Sequence, residues 1–248
     1  MRKYYSKIQL KYLPSKKRRI GIQGEKKVKK VIGKILPKNS YKIFNNFIFI
    51  DSKNCSHQID HILIYKKGIF SIETKNYSGC IEGQMNENKW TSIMGKRKER
   101  FSFQNPFYQN KIHVFNLKKL LNNEYEIHSL IVFAKNNTKE NAEAGLINLR
   151  SLETYIKKYN TELKLTKKEI NEIYKKLKKS KIKMSNFEHV KNVKNFANSI
   201  KNFICPKCGS KLLQKKGPYG LFYYCSNFKN CDFKKKKKLK TKKPNSPS

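Results

Sequence analysis

Acidic side chains are scarce in this sequence. Its 248 residues include 17 Asp and Glu against 57 Lys and Arg, which gives a formal net charge of +40 at pH 7. A surface this basic repels itself, and it persists most easily when polyanions are its usual partners. Nucleic acid is the leading candidate, because neutralising its phosphates releases condensed counterions and yields strong, salt-sensitive binding. An anionic membrane surface, bound peripherally, is the competing partner.

Long apolar runs are also absent. A membrane-spanning helix needs roughly 18 or more consecutive apolar residues, and no such run occurs in this chain, whose mean hydropathy is −0.78. Near the N-terminus Leu10 and Leu13 are separated by Lys11, so a secretory signal is not expected either. We therefore expect a soluble, cytoplasmic protein without integral membrane association. Residues 1–19 are expected to form a basic arm.

The sequence lacks the phosphate-binding pattern G-x-x-x-x-G-K-[ST], which disfavours intrinsic ATP hydrolysis. Cysteines are few: Cys55 and Cys80 are isolated, and the other four cluster near the C-terminus. A C-x2-C pair, sixteen intervening residues and a C-x5-C pair allow two short knuckles to close on one tetrahedral Zn²⁺. A disulfide framework or a redox-active C-x-x-C fits this pattern less well. The predicted structural zinc ligands are Cys205, Cys208, Cys225 and Cys231.

One predicted β-hairpin carries charged residues within apolar strands. Its two apolar runs flank the turn 66–68. Alternation along the second strand places Glu73 and Lys75 on one face, and Asp60 on the neighbouring strand can approach Glu73. Two carboxylates and a lysine suit a divalent-metal phosphodiesterase, because hard oxygens hold Mg²⁺ while an ammonium group orients water or neutralises phosphate charge.

These residues have structural alternatives as well. A surface salt bridge on an exposed hairpin is the alternative for Asp60, Glu73 and Lys75. Glu25 fits the usual acid in the first turn of a helix, where the macrodipole favours it. His61 follows Asp60 and points to the opposite face, so we expect a packed histidine and not a ligand. The other histidines lack ligand spacing and receive no role: His57, His113, His128 and His189.

Hydrophobic periodicity predicts an alternation of helices and strands. Local signals mark some of the helix starts, such as Asn105 before Pro106 and the capping box from Thr166 to Glu169. The apolar run from His128 predicts a central strand. Together these elements imply an α/β domain, in which helices cover a mixed sheet. Helices are predicted to start near Gly24, Pro106, Ser151 and Thr166, and strands are predicted at 41–50, 80–82, 89–93 and 128–134, beside the hairpin of 58–76.

Seven short motifs follow one another over most of a domain: Gly21-x-x-Gly24-Glu25, Gln58-Ile59-Asp60-His61, Gly68-Ile69-Phe70, Ile72-Glu73-Thr74-Lys75, Gly79-x-Ile81-x-Gly83, Trp90 and Asn105-Pro106-x-x-Gln109. In this order they resemble the NERD (nuclease-related) domain of the PD-(D/E)xK group. The resemblance implies a restriction-endonuclease-like mixed β-sheet flanked by helices. It also implies that Asp60 and Glu73 hold Mg²⁺ or Mn²⁺, that Lys75 is the catalytic lysine, and that Glu25 and Gln109 assist.

The cysteine cluster resembles the four-cysteine zinc ribbon of bacterial type I topoisomerases. The matching residues are Cys205-Pro206-x-Cys208-Gly209, Gly217, Gly220, Phe222 and Cys225-Ser226-Asn227. This resemblance implies an accessory module that binds single-stranded DNA. Aromatic rings among lysines suit such binding, because bases stack on rings while ammonium groups hold the backbone. The predicted nucleic-acid-binding residues are Tyr219, Phe222, Tyr223, Phe228, Lys234 and Lys235.

These patterns predict a DNA-binding protein, associated with the nucleoid, with metal-dependent nuclease activity in DNA processing, repair or defence. Single-stranded or flexible DNA is the expected substrate. The alternative is a non-catalytic DNA-binding protein that uses a nuclease-like fold and a single-strand-binding ribbon. The predicted segments are a basic arm (1–19), a NERD domain (20–160), a helical linker (161–202), a zinc ribbon (203–233) and a disordered Lys-rich tail (234–248).

Overall fold

A computed structural model describes residues 16–159, 164–218 and 220–236. The helices are α1 (Lys16–Ile35), α2 (Pro106–Leu120), α3 (Leu152–Lys158), α4 (Lys167–Ser180) and α5 (Asn186–Lys201). The strands are β1 (Tyr41–Ile50), β2 (Ser56–Tyr65), β3 (Gly68–Lys75), β4 (Cys80–Glu82), β5 (Lys89–Met94), β6 (Glu99–Gln104), β7 (Ile127–Phe133), β8 (Leu146–Asn148), β9 (Leu212–Gly217), β10 (Gly220–Cys225) and β11 (Lys234–Lys236). No helix within the described ranges has the length and apolar content that crossing a membrane requires.

Two compact units make up the described chain. The first contains the described residues up to Phe47 together with Gln58–Lys181, and the second contains Ile48–His57 and the described residues from Ile182 onward. Helix α4 therefore belongs to the first unit and α5 to the second. The sequence predicted one helical linker over 161–202. The structure divides this stretch instead, because each helix packs an apolar side within its own unit.

The first unit is built on a mixed five-stranded sheet with the order β1-β2-β3-β7-β8. Strands β2 and β3 are antiparallel, whereas β3, β7 and β8 run parallel. A separate antiparallel sheet contains β4, β5 and β6. The predicted α/β class with a mixed sheet is confirmed. Sequence reasoning missed β6, whose residues are mostly exposed, and β8, which is too short to show alternation.

Helices α1 and α3 pack on one face of the mixed sheet. Val28 and Ile32 from α1 and Ile156 from α3 share a fully buried cluster with Phe70 and Val132 of the central strands. This burial removes large aliphatic and aromatic side chains from water and supplies the main stabilisation of the unit. It also fixes α1 beside β3, the strand that carries two of the predicted site residues.

Helix α2 lies on the opposite face of the same sheet. Its buried Asn110 accepts a hydrogen bond from Ser71 Oγ at 2.7 Å and donates one to Ser129 Oγ at 2.9 Å. These bonds satisfy polar groups that burial would otherwise leave unpaired, so they set the position of α2 over β3 and β7. The Asn105 side chain caps the helix by accepting from the Phe107 N–H at 2.8 Å, as the sequence predicted.

The sequence predicted a helix that starts near Gly24, whereas helix α1 starts at Lys16. The apolar periodicity begins only at Val28, because the earlier turns are basic and mostly exposed, and the pattern therefore hid the true start. The predicted basic arm over 1–19 overlaps this helix, and its residues 1–15 lie outside the described residues. Glu25 consequently sits in the middle of α1, so the first-turn explanation for this acid is wrong.

The second unit combines α5 with a three-stranded sheet in the order β11-β10-β9. Helix α5 is capped by Ser185 and packs Phe196 and Ile200 against the buried cysteines. Strand β11 pairs with β10, so residues 234–236 are ordered, whereas the sequence predicted a disordered tail over 234–248. Backbone pairing overcomes the repulsion of three exposed or half-exposed lysines there. The rest of that tail lies outside the described residues.

Gly24 brings α1 unusually close to the end of β3. A Cβ atom at this position would lie 2.7 Å from Asn76 Cβ and 3.3 Å from Thr74 Cγ2. The Asn76 amide also donates a hydrogen bond to the Ile20 carbonyl at 2.5 Å. Only glycine permits this approach, which places the next residue, Glu25, beside the carboxyl end of β3.

Gly24→Ala is expected to lower the free energy of unfolding by about 1–3 kcal/mol, because the added methyl group collides with Asn76. Gly21 provides a matched control on the same helix, since a Cβ there has nothing within 4 Å. Gly21→Ala should raise the free energy of unfolding by up to about 1 kcal/mol through helix propensity alone. Urea unfolding measures both values, and equal effects would contradict the close packing of α1 on β3.

Candidate metal centres and nucleic-acid surface

Glu73 and Lys75 form a buried ion pair at the end of β3. The Lys75 ammonium group donates hydrogen bonds to Glu73 Oε1 at 2.7 Å and to Gln109 Oε1 at 2.9 Å. The Glu73 side chain is 3% exposed and that of Lys75 is 13% exposed. Gln109 reaches the pair from the first turns of α2. An exposed surface salt bridge is therefore not what this hairpin contains.

Asp60 lies directly across from Glu73 on strand β2. The strand register pairs His61 with Ile72, so Asp60 is the next residue to face Glu73. The Thr74 N–H donates a hydrogen bond to Asp60 Oδ2 at 2.8 Å and fixes the carboxylate at the end of β3. The structure thus brings together the acid, the second acid and the lysine that the sequence placed on one face.

His61 points away from this site, as its position after Asp60 predicts. Its ring is 1% exposed, and Nδ1 lies 2.7 Å from Asn45 Oδ1. Burial, together with the Lys29 charge, lowers the pKa of His61 to about 4. His61 is therefore a neutral core residue at physiological pH and takes no part in the carboxylate cluster.

The surroundings shift the pKa values of the acids in this site in different directions. Burial raises the pKa of Asp60 well above its ordinary value, and the nearby Glu73 and Glu25 carboxylates raise it further. Burial also acts to raise the pKa of Glu73, but Lys75 and His113 outweigh it and the net pKa is lowered. The Lys75 charge thus outweighs burial at Glu73, whereas at Asp60 its lowering effect on the pKa is too small to offset burial and the two acids.

Glu25 stands beside this cluster on the middle of α1. Its pKa is raised by partial burial and by the charge of Glu73, with Arg18 acting in the opposite direction. Among the described residues, the four cysteines are the one group of three or more His, Cys, Asp or Glu ligand atoms within 4.8 Å of one another. Glu25 is thus an electrostatic neighbour of Asp60 and Glu73 and not part of a closed three-acid ligand set.

His113, which received no role from the sequence, also lies in the site. Its Nε2 is 3.5 Å from Glu73 Oε2, and the imidazole is 8% exposed. Within the described chain, Glu73 Oε2 and both ring nitrogens of His113 are buried without a well-formed hydrogen bond. His113 follows Gln109 by one helical turn on α2. That i, i+4 spacing is the sequence signal that indicates a shared helix face.

The donor set suits a hard divalent cation. Carboxylate oxygens are the ligands that Mg²⁺ and Mn²⁺ prefer, and Glu73 Oε2 is a buried acceptor without a donor. The pKa of Asp60 stays raised although the Lys75 charge acts to lower it, so a further positive charge would stabilise the ionised carboxylate. A cation between Asp60 and Glu73 would satisfy both groups.

The four ribbon cysteines gather at a second centre. Cys205 Sγ lies 3.8 Å from Cys231 Sγ, and Cys208 Sγ lies 3.3 Å from Cys225 Sγ. Tetrahedral Zn–S bonds of about 2.3 Å place sulfur atoms about 3.8 Å apart, so the four thiols fit one zinc ion. The predicted structural Zn²⁺ ligands are supported, and this ion would link the two knuckles of the ribbon.

The ribbon sheet separates its aromatic rings onto two faces. Phe222 and Tyr224 share one face, with ring centroids 6.1 Å apart. The strand register places lysines opposite both rings on the flanking strands. A nucleic-acid strand that crossed this face would therefore meet rings for its bases and lysines for its phosphates. The outer face of the ribbon comprises Leu213, Lys215, Phe222, Tyr224, Lys234 and Lys236.

The other face of the ribbon turns toward α5. The Tyr223 ring packs edge-on against Phe203, with centroids 5.8 Å apart, and the Lys235 ammonium lies 4.5 Å from the centroid of the Phe196 ring. These two predicted nucleic-acid-binding residues therefore pack within their own unit, whereas Phe222 and Lys234 face outward. The strand register determines which of these residues face outward, and amino-acid composition alone does not reveal that register. Phe228 is 65% exposed, and Tyr219 lies outside the described residues.

Asp60 should give the protein a pH-dependent stability. The folded chain keeps a proton on Asp60 above its ordinary pKa of 3.8, whereas the unfolded chain releases it, so the free energy of unfolding falls as pH rises through this window. The Asp60→Asn variant has no ionisable group at this position, so its free energy of unfolding does not fall for this reason. With a chelator present, urea unfolding should find this variant more stable than wild type near neutral pH, and the two should converge as pH approaches 4.

Glu140→Gln is the control of opposite sign. Burial acts to raise the pKa of Glu140, but hydrogen bonds from Ser151 and Asn148 lower it overall. That variant should lose stability at neutral pH and recover toward wild type in acid. An Asp60→Asn variant that is less stable than wild type at neutral pH would refute the charge assignment of the site.

Comparisons with known proteins match both units. Residues 20–134 match the nuclease-related domain, NERD, and residues 203–240 match the topoisomerase DNA binding C4 zinc finger. An uncharacterized protein of Bacillus anthracis is 32% identical over 186 residues, which cover 71% of this chain and 84% of that protein. DNA topoisomerase 1 of Methanocaldococcus jannaschii is 63% identical over 30 residues, which cover 12% of this chain and 4% of that protein. No solved structure matches the chain.

These matches confirm both family resemblances that the motifs indicated. The NERD match contains Glu25, Asp60, Glu73, Lys75 and Gln109, and the zinc-finger match contains all four clustered cysteines. The matches suggest a nuclease-like function for the first region and DNA binding for the second. The chain therefore belongs to the NERD, or nuclease-related domain, family and carries a topoisomerase-type zinc ribbon after that domain.

Proposed function

We propose that this protein is a divalent-metal-dependent nuclease that grips DNA through its C-terminal ribbon. The observation that carries the proposal is the position of Asp60 opposite the buried Glu73–Lys75 pair, inside a nuclease-related domain. A lysine and two acids at a strand end are the groups that phosphodiester hydrolysis requires. Roles in DNA processing, repair or defence are consistent with this chemistry.

Asp60 and Glu73 would hold Mg²⁺ or Mn²⁺. When bound, the ion would supply Lewis-acid activation of water and of the phosphate. Glu73 and Gln109 hold the Lys75 ammonium from two sides. The group is therefore already in position and needs little reorganisation during the reaction. Burial acts to lower the pKa of Lys75, but Glu73 outweighs it, and the side chain stays charged and able to attract phosphate.

Glu25 and His113 complete the surroundings of these groups. Glu25 adds negative charge beside Asp60 and thereby favours cation binding. The His113 ring excludes water from the rear of Glu73 and faces its second oxygen at 3.5 Å. Both residues act on the two carboxylates and neither needs to contact DNA.

The ribbon would raise the local concentration of DNA near the first unit. Its outer face combines two rings with flanking lysines, which suits stacking of unpaired bases and contact with the backbone. Tethering two binding modules in one chain increases the effective concentration of substrate at the second module. Single-stranded or flexible DNA is therefore the proposed substrate.

A second candidate is a DNA-binding protein that does not cleave. The observation that favours it is the Glu73–Lys75 pair itself, whose 2.7 Å contact lets the ammonium group neutralise one of the two carboxylates. In that case the fold would present basic surfaces to DNA, and the ribbon would supply affinity without turnover.

The activity of full-length protein on labelled single- and double-stranded DNA separates the two candidates. With Mg²⁺ or Mn²⁺ we expect wild type to degrade DNA, and Asp60→Ala and Lys75→Ala to lose at least about 100-fold in rate while still binding. Glu82→Ala removes an exposed acid, which pairs with Arg100 on the surface, and should retain activity. If wild type and all variants bind DNA equally and none degrades it, the non-catalytic candidate is correct.

The outer face of the ribbon has its own test. Phe222→Ala should weaken binding to single-stranded DNA by about tenfold through loss of a stacking partner, with zinc content unchanged. Tyr223→Phe is the control, because it removes only a hydroxyl from a ring that packs against Phe203. Fluorescence anisotropy with a labelled oligonucleotide measures both, and a Phe222→Ala variant that binds like wild type would remove the outer face from the proposal.

A further inference from the structure

Helix α2 presents an exposed apolar side, opposite the side that packs on the sheet. Phe115 is 57% exposed and Ile112 is 46% exposed. Adjoining exposed apolar side chains, unlike isolated ones, mark candidate interaction surfaces. The proposed chemistry of the site does not use either residue.

Lysines share this side of α2 with the apolar residues. Lys111, Ile112, Phe115 and Lys119 recur at spacings of one, three and four residues, so they form one stripe along the helix, termed here the α2 stripe. The Lys119 ammonium lies 4.5 Å from the centroid of the Phe115 ring. The helix contains no acidic residue along its whole length. The α2 stripe therefore offers a ring and positive charge together.

The positive charge of the α2 stripe indicates what kind of partner it binds. A second copy of this chain would bring lysine against lysine, which disfavours self-association. Nucleic acid offers phosphates to the ammonium groups of Lys111 and Lys119 and the face of a base to Phe115. Stacking between a base and an aromatic side chain is available only where the base is not already paired and stacked in a duplex.

The α2 stripe and the groups that reach the site occupy different sides of the same helix. Phe115 follows Gln109, which contacts the Lys75 ammonium, by six residues. This spacing is a rise of roughly 9 Å along the helix axis and a turn of about 120° around it. A strand bound along the α2 stripe would therefore lie on the outer side of the helix whose inner side contributes Gln109 to the site.

We propose that the α2 stripe binds the substrate strand outside the active site, with Phe115 stacking on an unpaired base. Lys111 and Lys119 contact the phosphates on either side of that base. This inference rests on the proposed nuclease function and specifies its substrate as DNA with unpaired bases, such as single strands, ends and flaps.

Binding measurements without divalent metal test this inference separately from catalysis. The protein is the full-length Phe222→Ala variant, in which the ribbon contributes less, and the probe is a fluorescein-labelled oligothymidine. Adding Phe115→Ala should weaken binding by about tenfold, while adding Phe115→Trp should restore it. Phe187→Ala is the matched control, because Phe187 is 73% exposed on α5, another helix with lysines, and it should change binding less than twofold.

An abasic oligonucleotide of the same length identifies stacking as the cause. Phe115→Ala should bind this probe as well as its parent does, since no base is present to stack on the ring. Emission from the Phe115→Trp side chain should be quenched on saturation with oligothymidine, above the baseline of the buried Trp90. Loss of affinity for both probes alike, or unchanged emission, would overturn the inference.

Three further outcomes keep the proposals distinct. A concentration-dependent dimer that Phe115→Ala abolishes would show that the α2 stripe binds a second copy of the chain and would overturn the inference. A protein that binds through Phe115 but never cleaves DNA would leave the α2 stripe in place and remove the nuclease function. Cleavage that depends on Asp60, with no effect of Phe115→Ala on binding, would support the nuclease function and overturn the inference about the α2 stripe.

Discussion

The antiparallel register of β2 and β3 is the constraint on which this site depends. It places Asp60 opposite Glu73, and a slip of one residue would turn Asp60 to the other face of the sheet. The buried residues after Asp60 fix the register, because Ile62, Leu63 and Ile64 are fully withdrawn from water. Hydrophobic burial on both faces of one hairpin thus holds two carboxyl groups side by side.

The surrounding helices keep this unfavourable arrangement in place. The chain has only 17 acids among 248 residues, yet three of them, Glu25, Asp60 and Glu73, influence one another's ionisation. Such a cluster raises the free energy of the folded chain unless cations neutralise it. Lys75 neutralises part of it, and the close approach of α1 at Gly24 adds the third acid. Clusters of ionisable groups whose pKa values are shifted in this way are typically found at functional sites.

Much of this arrangement follows from sequence periodicity, and the remainder depends on contacts between distant segments. The hairpin, the Asn105 cap and the zinc ligands have local signals. His113 was missed because a single histidine on a helix has no ligand spacing, and only packing of α2 on β3 brings it to Glu73. Composition does not reveal which sheet face a residue occupies, and the predicted DNA contacts Tyr223 and Lys235 lie on the face that packs within their own unit. The start of helix α1 does not follow from the sequence pattern, because its first turns are basic and exposed and lack apolar periodicity.

Titration of the zinc-loaded, full-length protein with Mn²⁺ tests the central claim most directly. Electron paramagnetic resonance counts the free ion, and the account predicts one Mn²⁺ bound per chain near neutral pH, with binding lost in a Glu73→Gln variant that keeps its zinc. Binding should also weaken in acid, as protons compete for Asp60. Absence of Mn²⁺ binding to wild type, or equal binding to Glu73→Gln, would contradict a metal centre built from these two carboxylates.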